Sequence, residues 1–410
     1  MRGLIILLFG VLLLGLGLAG IGLVGLLRPP APKAAELVLT PVRWSDLEGW
    51  RRDDPRPALA AFRRSCVEIL KKPPATPMGG QVSKGIALYR AAGDWEDVCG
   101  AAEALNFIDA NGARDWFERY FLPYAASNSG ERGGLFTGYF EPELAGSLTR
   151  TADFTVPLLK RPDDLVSVDL GEFRDSLKGQ RIAGRVTGGQ LHPYSTREQI
   201  RKGALDDEKL ALAWVKDPVD AFFMQIQGSG RIRLADGSIL RLGYDAQNGW
   251  PYVAIGRVLR DMRALDRGEI SMRTIKAWLE SHPDDAATVM DENTSYIFFK
   301  PLNPFDSALG PIGAQNVPLV PGRSLAVDLK FHALGVPVWL DSTLPLDEAG
   351  TPGQLYRRLM IAQDTGGAIT GPVRGDVFFG SGAEAQKFAG RMKQIGEMYV
   401  LLPRSWATAQ

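Results

Sequence analysis

Histidine and cysteine are scarce in this chain, three and two in 410 residues. No His-x-x-x-His pair, cysteine cluster or EF-hand loop appears, so no metal ligand set is read and no cofactor is called for. There is no Gly-x-x-x-x-Gly-Lys-Ser/Thr loop and no nucleophile elbow. The usual marks of phosphoryl transfer and serine-ester chemistry are therefore missing. Neither sign of charge is in excess: 47 Lys and Arg balance 47 Asp and Glu. Nothing there points to general nucleic-acid binding. What is abundant is glycine (46) and proline (27), the residues that punctuate loops. That composition favours a loop-rich all-β or α+β protein over a helical bundle. The length allows a large core, or more than one.

One long apolar run occurs, Leu4 to Leu27, preceded by Arg2. As a helix it would be about 36 Å long, enough to cross a bilayer. The expectation is an uncleaved inner-membrane anchor, with a signal segment cleaved near Ala19 as the alternative. Either places the body outside the cytoplasm, in the periplasm. No cysteine follows the run closely, so a lipoprotein is not indicated. Residues 29–42, rich in Pro and Ala, read as a tether.

The folded part opens at Trp44. Residues 56–71 carry Leu59, Phe62, Cys66 and Ile69 at helical spacing, ended by Pro73-Pro74. Two more helices are predicted over 94–108 and 111–121. Cys66 and Cys99 both fall in predicted helices. In an oxidising compartment they could clamp these helices together as a disulfide; two buried thiols are the alternative. Strand-like pieces follow from Gly133, interrupted by helices predicted near 196–202 and 207–215, the first capped by Ser195 with Glu198. Val219–Ile226 reads as a strand. Arg231–Leu234 and Ile239–Leu242 form the clearest hairpin, across Ala235-Asp236-Gly237-Ser238. Helices return at 252–260 and 271–280, then short strands run to 402 around one more helix, near 383–395.

The stretch Gln363-Asp364-Thr365-Gly366-Gly367-Ala368-Ile369 leads into Asp376-Val377-Phe378-Phe379-Gly380. Two aspartates flank small residues, and the Gly366-Gly367 pair is free to take positive φ. On residues alone, a turn aspartate beside a barrel strand is the plain reading. These residues, with Phe136-Thr137-Gly138-Tyr139-Phe140-Glu141-Pro142, Gln227-Gly228-Ser229-Gly230 and Phe298-Phe299-Lys300-Pro301, resemble the membrane-bound lytic transglycosylase A family. The resemblance covers roughly residues 95–403. The part from Val327 to Val400 is similar to the family's 3D domain, named for three aspartates.

The resemblance implies a mainly β fold with helices (α+β). A double-psi β-barrel and a second, inserted β-barrel would hold a glycan groove between them. The corresponding division is 1–28 anchor or signal segment, 29–42 tether, 43–140 helical part and start of domain 1, 141–245 inserted domain 2, and 246–404 the remainder of domain 1. The implied activity is cleavage of the MurNAc-GlcNAc β-1,4 bond of peptidoglycan with formation of a 1,6-anhydromuramyl end. Asp376 matches the catalytic aspartate. Asp364 and Asp328 match supporting aspartates, and Asp341 is a further acidic candidate. Thr137 and Tyr139 are candidates to line the groove, with Gln225, Gln227, Ser229 and Tyr244 as weaker ones, while Trp250 reads equally well as core. The partners implied are peptidoglycan strands and, beyond these, cell-wall synthesis or division proteins; the apolar run of residues 4–27, not the resemblance, adds the membrane. Two other functions fit the same residues: an inverting muramidase, which needs a second carboxylate with room for water, and a non-catalytic glycan-binding protein.

Overall fold

The computed structural model describes residues 35–409, apart from 84–85, 107–108, 178–179, 207–208, 267–269, 303–308 and 348–350. Glu36–Gln410 form one compact unit. Its first helix, Arg56–Leu70, buries Leu59, Phe62, Cys66 and Ile69 along one face, as an i, i+3, i+4 stripe requires. The helix Ala110–Tyr120 starts where Asp109 accepts a hydrogen bond from the Gly112 amide at 2.7 Å. Cys66 and Cys99, on the helices Arg56–Leu70 and Glu96–Glu103, are joined by a disulfide with their Cα atoms 5.3 Å apart. Phe62 lies among Trp95, Trp116, Phe117 and Phe121, so these helices share an aromatic core.

That core is continuous with the inner face of the largest sheet. With strands numbered in chain order, the sheet contains β1 (Leu37–Pro41), β4 (Phe121–Asn128), β5 (Gly134–Glu141), β15 (Ser324–Val327), β16 (Pro337–Pro345), β17 (Pro352–Asp364), β18 (Arg374–Ser381) and β19 (Lys393–Pro403). Its order is β1-β4-β19-β16-β17-β15-β18-β5, and β5 pairs back onto β19. A second sheet runs β14-β13-β12-β6-β11-β7. It is built from β6 (Glu143–Ser147), β7 (Val156–Leu159), β11 (Ala211–Val215), β12 (Ser229–Arg233), β13 (Ile239–Gln247) and β14 (Ile297–Pro301). Two small ladders complete the set: β8 (Val166–Asp169), β9 (Arg181–Thr187) and β10 (Gln190–Pro193), and β2 (Val82–Ser83) with β3 (Ile86–Ala87).

The pairing corrects the expected double-psi barrel: the architecture is mixed α/β with a ring-like sheet, not a barrel. The reason lies in β19. Lys393–Gly396 pair with β5, whereas Tyr399–Pro403 pair with β4. One strand edge is thus divided between two neighbours, so the sheet closes at one end and splays into β4 and β1 at the other. The expected inserted barrel is corrected in the same way. The second sheet is open: among the described residues its outer strands are joined at one isolated bridge, between Lys160, just after β7, and Phe299 of β14.

Three local readings also change. Val219–Ile226 lies in a helix, Pro218–Gln227, not a strand. Its apolar run suits either state, and the ends decide. Asp217 caps the Val219 amide, Pro218 occupies the first turn, and Gly228 closes the helix at φ +77°. Ala211–Val215, read as helix, is instead strand β11. The cap predicted at Ser195 falls one residue later, where Thr196 and Gln199 form the capping box.

The expectation of a membrane anchor is also corrected. No helix among the described residues is long and apolar enough to cross a membrane. The Leu4 to Leu27 run itself lies outside the described residues.

Candidate active site

Strand register gathers the acidic residues into one row. Asp364 of β17 pairs with Ala326 of β15, Ala326 with Asp376 of β18, and Asp376 with Thr137 of β5. Lys393 of β19 pairs with Thr137 and extends the row. Residues opposite one another across a ladder project to the same face. Two strand spacings separate the Asp364 and Asp376 backbones, about 9–10 Å. A bulge makes this row possible: Leu325 pairs with Ala362 and Ala326 with Asp364, so Gln363 is skipped. The Gln363 side chain turns into the core. It donates to Ala61 O (3.0 Å) and Ser65 Oγ (2.9 Å) and accepts from Ser324 Oγ (2.6 Å). The bulge is therefore held by buried hydrogen bonds to the first helix. Gly134 lets β5 enter the ring, since a Cβ there would stand 1.8 Å from Val373 O.

Asp376 is partly buried, with 18% of its side chain exposed. Arg374, two residues earlier on the same strand face, donates from Nη1 to Asp376 Oδ1 at 2.8 Å. Its Nη2 donates to Thr137 Oγ1 at 2.8 Å. Asp376 Oδ2 accepts no hydrogen bond among the described residues. Burial pushes the Asp376 carboxyl above the ordinary aspartate range, while the Arg374 charge and hydrogen bond pull the other way.

Asp364 is engaged on both oxygens. Tyr139 donates its hydroxyl to Oδ2 at 2.7 Å, and the Ala314 amide donates to Oδ1 at 2.9 Å. Burial again raises the acid, Tyr139 and backbone donors lower it, and nearby Asp376 adds a smaller upward push. Asp328 is a loop fastener. Its Oδ1 accepts from the Lys330 amide at 2.9 Å and its Oδ2 from the Gly371 amide at 2.7 Å. Thr365 Oγ1 donates to Val327 O at 2.8 Å, and His332 Nε2 donates to Pro372 O at 2.7 Å. The Thr365–Pro372 loop is thereby pinned at both ends. Its left-handed residue is Gly371 (φ +120°), and neither Gly366 nor Gly367 has positive φ.

The structure therefore brings Asp376, Asp364, Thr137 and Tyr139 together. The remaining sequence candidates are placed elsewhere. Gln225 is buried under Arg197, which donates to its Oε1 at 2.6 Å. Gln227 accepts from the Phe140 amide at 3.0 Å. Ser229 is buried at the start of β12, and Tyr244 is exposed on β13. Trp250 donates to Tyr194 O at 2.7 Å. Asp341 is tied to Arg357 at 2.7 Å.

Three features were not read from the sequence. Arg374 is the first, although strand alternation from Asp376 would have placed it on the same face. The second is Tyr252, beside Gly367; the residue as a whole is 38% exposed, but its phenol is covered enough that burial, and then the Asp376 charge, raise it. Asn248 and Asn293 pin the segment that carries it, through Tyr296 N, Ser195 O, Thr294 O and Val253 N. The third is Glu141. It is fully buried, with Arg231 Nε 2.7 Å from Oε2 and Arg241 Nη2 3.1 Å from the same atom.

A carboxyl raised by burial, with one oxygen uncommitted and tyrosines beside it, equips an enzyme for acid-catalysed cleavage of glycosidic bonds. The comparisons with known proteins agree. Residues 135–300 match the MltA specific insert domain, and residues 323–402 match the 3D domain. The crystal structure of a membrane-bound lytic murein transglycosylase from Agrobacterium tumefaciens is 35% identical, with a TM-score of 0.79, over 90% of this chain and 99% of that one. The membrane-bound lytic murein transglycosylase A of Escherichia coli (strain K12) is 33% identical over 269 residues, 65% of this chain and 65% of that protein. The crystal structure of E. coli MltA with bound chitohexaose is 26% identical, with a TM-score of 0.59, over 92% and 93% of the two chains. The chain belongs to the membrane-bound lytic murein transglycosylase A family, with a C-terminal 3D domain.

Proposed function

We propose that this protein is a lytic transglycosylase. It cleaves the β-1,4 bond between MurNAc and GlcNAc in peptidoglycan and leaves a 1,6-anhydromuramyl end. The observation that carries the reading is the difference among the three aspartates. Asp364 and Asp328 each accept hydrogen bonds on both oxygens, whereas Asp376 keeps Oδ2 uncommitted. Its carboxyl is raised by burial, which favours the protonated form a general acid requires.

Asp376 donates its proton to the glycosidic oxygen as the bond from C1 to that oxygen breaks. The carboxylate left behind stabilises positive character at C1. The O6 hydroxyl of the same muramyl residue then attacks C1, and its proton returns to Asp376. Atoms balance without water, and one carboxyl serves as acid and then base. Asp364 holds Tyr139 toward the site, and Tyr139, Thr137 and the exposed Tyr252 offer hydroxyls and ring faces to the glycan. An inverting hydrolase would need a second carboxylate free to activate water. Asp364, committed to Tyr139 and the Ala314 amide, is poorly placed for that task.

The test is the Asp376→Asn variant on purified peptidoglycan. It keeps the shape and an acceptor for Arg374 but has no acidic proton. Turnover is expected to drop at least about 10²-fold with folding intact. Product mass is measured in H₂¹⁸O. Anhydro ends without label are expected, whereas ¹⁸O at the new reducing end would make the enzyme a hydrolase. Wild-type turnover by folded Asp376→Asn would remove the acid from the mechanism.

A further inference from the structure

We propose that Arg374 is the positioning residue that aims Asp376: its guanidinium fixes Oδ1 and the Thr137 hydroxyl together, leaving Oδ2 as the one atom of the acid that can deliver a proton. The proposal rests on the reading of Asp376 as the acid.

The geometry is specific to a fork. Arg374 Nη1 donates to Asp376 Oδ1 (2.8 Å), to Gly375 O (2.6 Å) and more weakly to Leu135 O (3.3 Å), while Nη2 reaches Thr137 Oγ1 (2.8 Å). These partners lie on two paired strands, β18 and β5. The planar side chain therefore locks the acid to the neighbouring strand as well as to its own. Only 12% of the Arg374 side chain is exposed, so its own rotamer is confined by packing. A lysine could supply the charge but not a rigid, two-nitrogen geometry.

A carboxyl with two equivalent oxygens can place its proton on either one, and only one position serves a bound substrate. With Oδ1 accepting from a cation, the acidic proton resides on Oδ2. The same cation keeps the buried acid from being raised without limit, so that the carboxylate can form once the proton has left. The other charged or titratable groups facing Asp376 are Tyr139 from β5, Asp364 from β17, Tyr252 from the segment after β13, and Lys393, next to Thr137 on β19. None of them shares the two contacts that Arg374 makes.

The experiment compares pH–rate profiles and steady-state constants on purified peptidoglycan for the full chain, Arg374→Gln, Arg374→Lys, Thr137→Val and Asp376→Asn. The basic limb of the profile reports loss of the Asp376 proton. Removing the cation favours the protonated form, so Arg374→Gln should move that limb upward by at least about one pH unit. Its kcat, read on the plateau, should fall roughly 10- to 100-fold from misorientation while KM stays within a few-fold. Arg374→Lys should restore the position of the limb but not kcat. Thr137→Val keeps the charge and loses an anchor, so its limb should stay put while kcat falls. This arm remains informative if Arg374→Gln does not fold. An unmoved limb with wild-type kcat in folded Arg374→Gln, or an unchanged kcat in Thr137→Val, would overturn the proposal. Full activity of Asp376→Asn would instead strike the reading of the acid on which it rests.

Discussion

Replacing Glu141 should damage the fold out of proportion to its size. The residue ends β5, and its carboxylate is completely buried. Oε2 accepts from Arg231 Nε at 2.7 Å and Arg241 Nη2 at 3.1 Å, and Oε1 accepts from Arg241 Nε at 3.3 Å. Arg231 and Arg241 face each other across the β12–β13 ladder, and their partner strands belong to the second sheet. Glu141→Ala would leave two neighbouring guanidinium groups around a cavity, with Arg241 only 9% exposed. Breaking a buried pair from one side costs about 3–5 kcal/mol. Glu141→Gln keeps an acceptor oxygen but not the charge, and should cost less than the alanine. Urea unfolding with the slope m held common measures both. Because β5 also carries Thr137 and Tyr139, the alanine variant should lose activity at temperatures where the wild type is intact. An alanine cost below about 1 kcal/mol, or equal costs for alanine and glutamine, would refute the argument that a buried unpaired charge controls the loss.

His332 is buried and neutral, accepting from Tyr89 OH at Nδ1 and donating from Nε2 to Pro372 O. Burial holds it below the ordinary 6.5. The unfolded state therefore takes up the proton first as pH falls, so stability should decline from about pH 6.5 downward. Melting temperatures of wild type and His332→Gln between pH 7.5 and 5 check this, and equal slopes would contradict it. The Cys66–Cys99 bond closes a separation of 33 residues, which corresponds to roughly 3–4 kcal/mol of stabilisation. Peptide mapping without reductant, followed by unfolding of the Cys66→Ala/Cys99→Ala double variant, tests the bond and its size. Free alkylatable thiols in the native protein would reject it.

Short-range features were the most legible from sequence. The helix carrying Leu59, Phe62, Cys66 and Ile69 announces itself by spacing, and the β12–β13 hairpin by its turn residues. Val219–Ile226 was misread because its apolar run satisfies both periods. Asp217, Pro218 and Gly228 carry the information that separates them. The acidic stretch was visible through resemblance, but the row joining Asp364, Ala326, Asp376 and Thr137 depends on pairing between distant segments. Glu141 illustrates the same limit, since its two arginines lie 90 and 100 residues further along. Ring closure is likewise a property of register, and no local pattern in β19 distinguishes its two neighbours.

The division of β19 between β5 and β4 also has a consequence in time. The ring is closed by Lys393–Gly396 against β5, and β4 is held by Tyr399–Pro403. Both partners are synthesised long before β19. Until this last strand is available, β4, β5 and β16 each lack a neighbour, and their edges are open to wrong pairings. Long-range pairing of this kind is slow, because the chain loses loop entropy before the contacts repay it. The large sheet therefore cannot complete itself on a chain that still lacks β19. Closure of the ring is the last pairing event open to the large sheet, whereas the second sheet contains no strand later than β14.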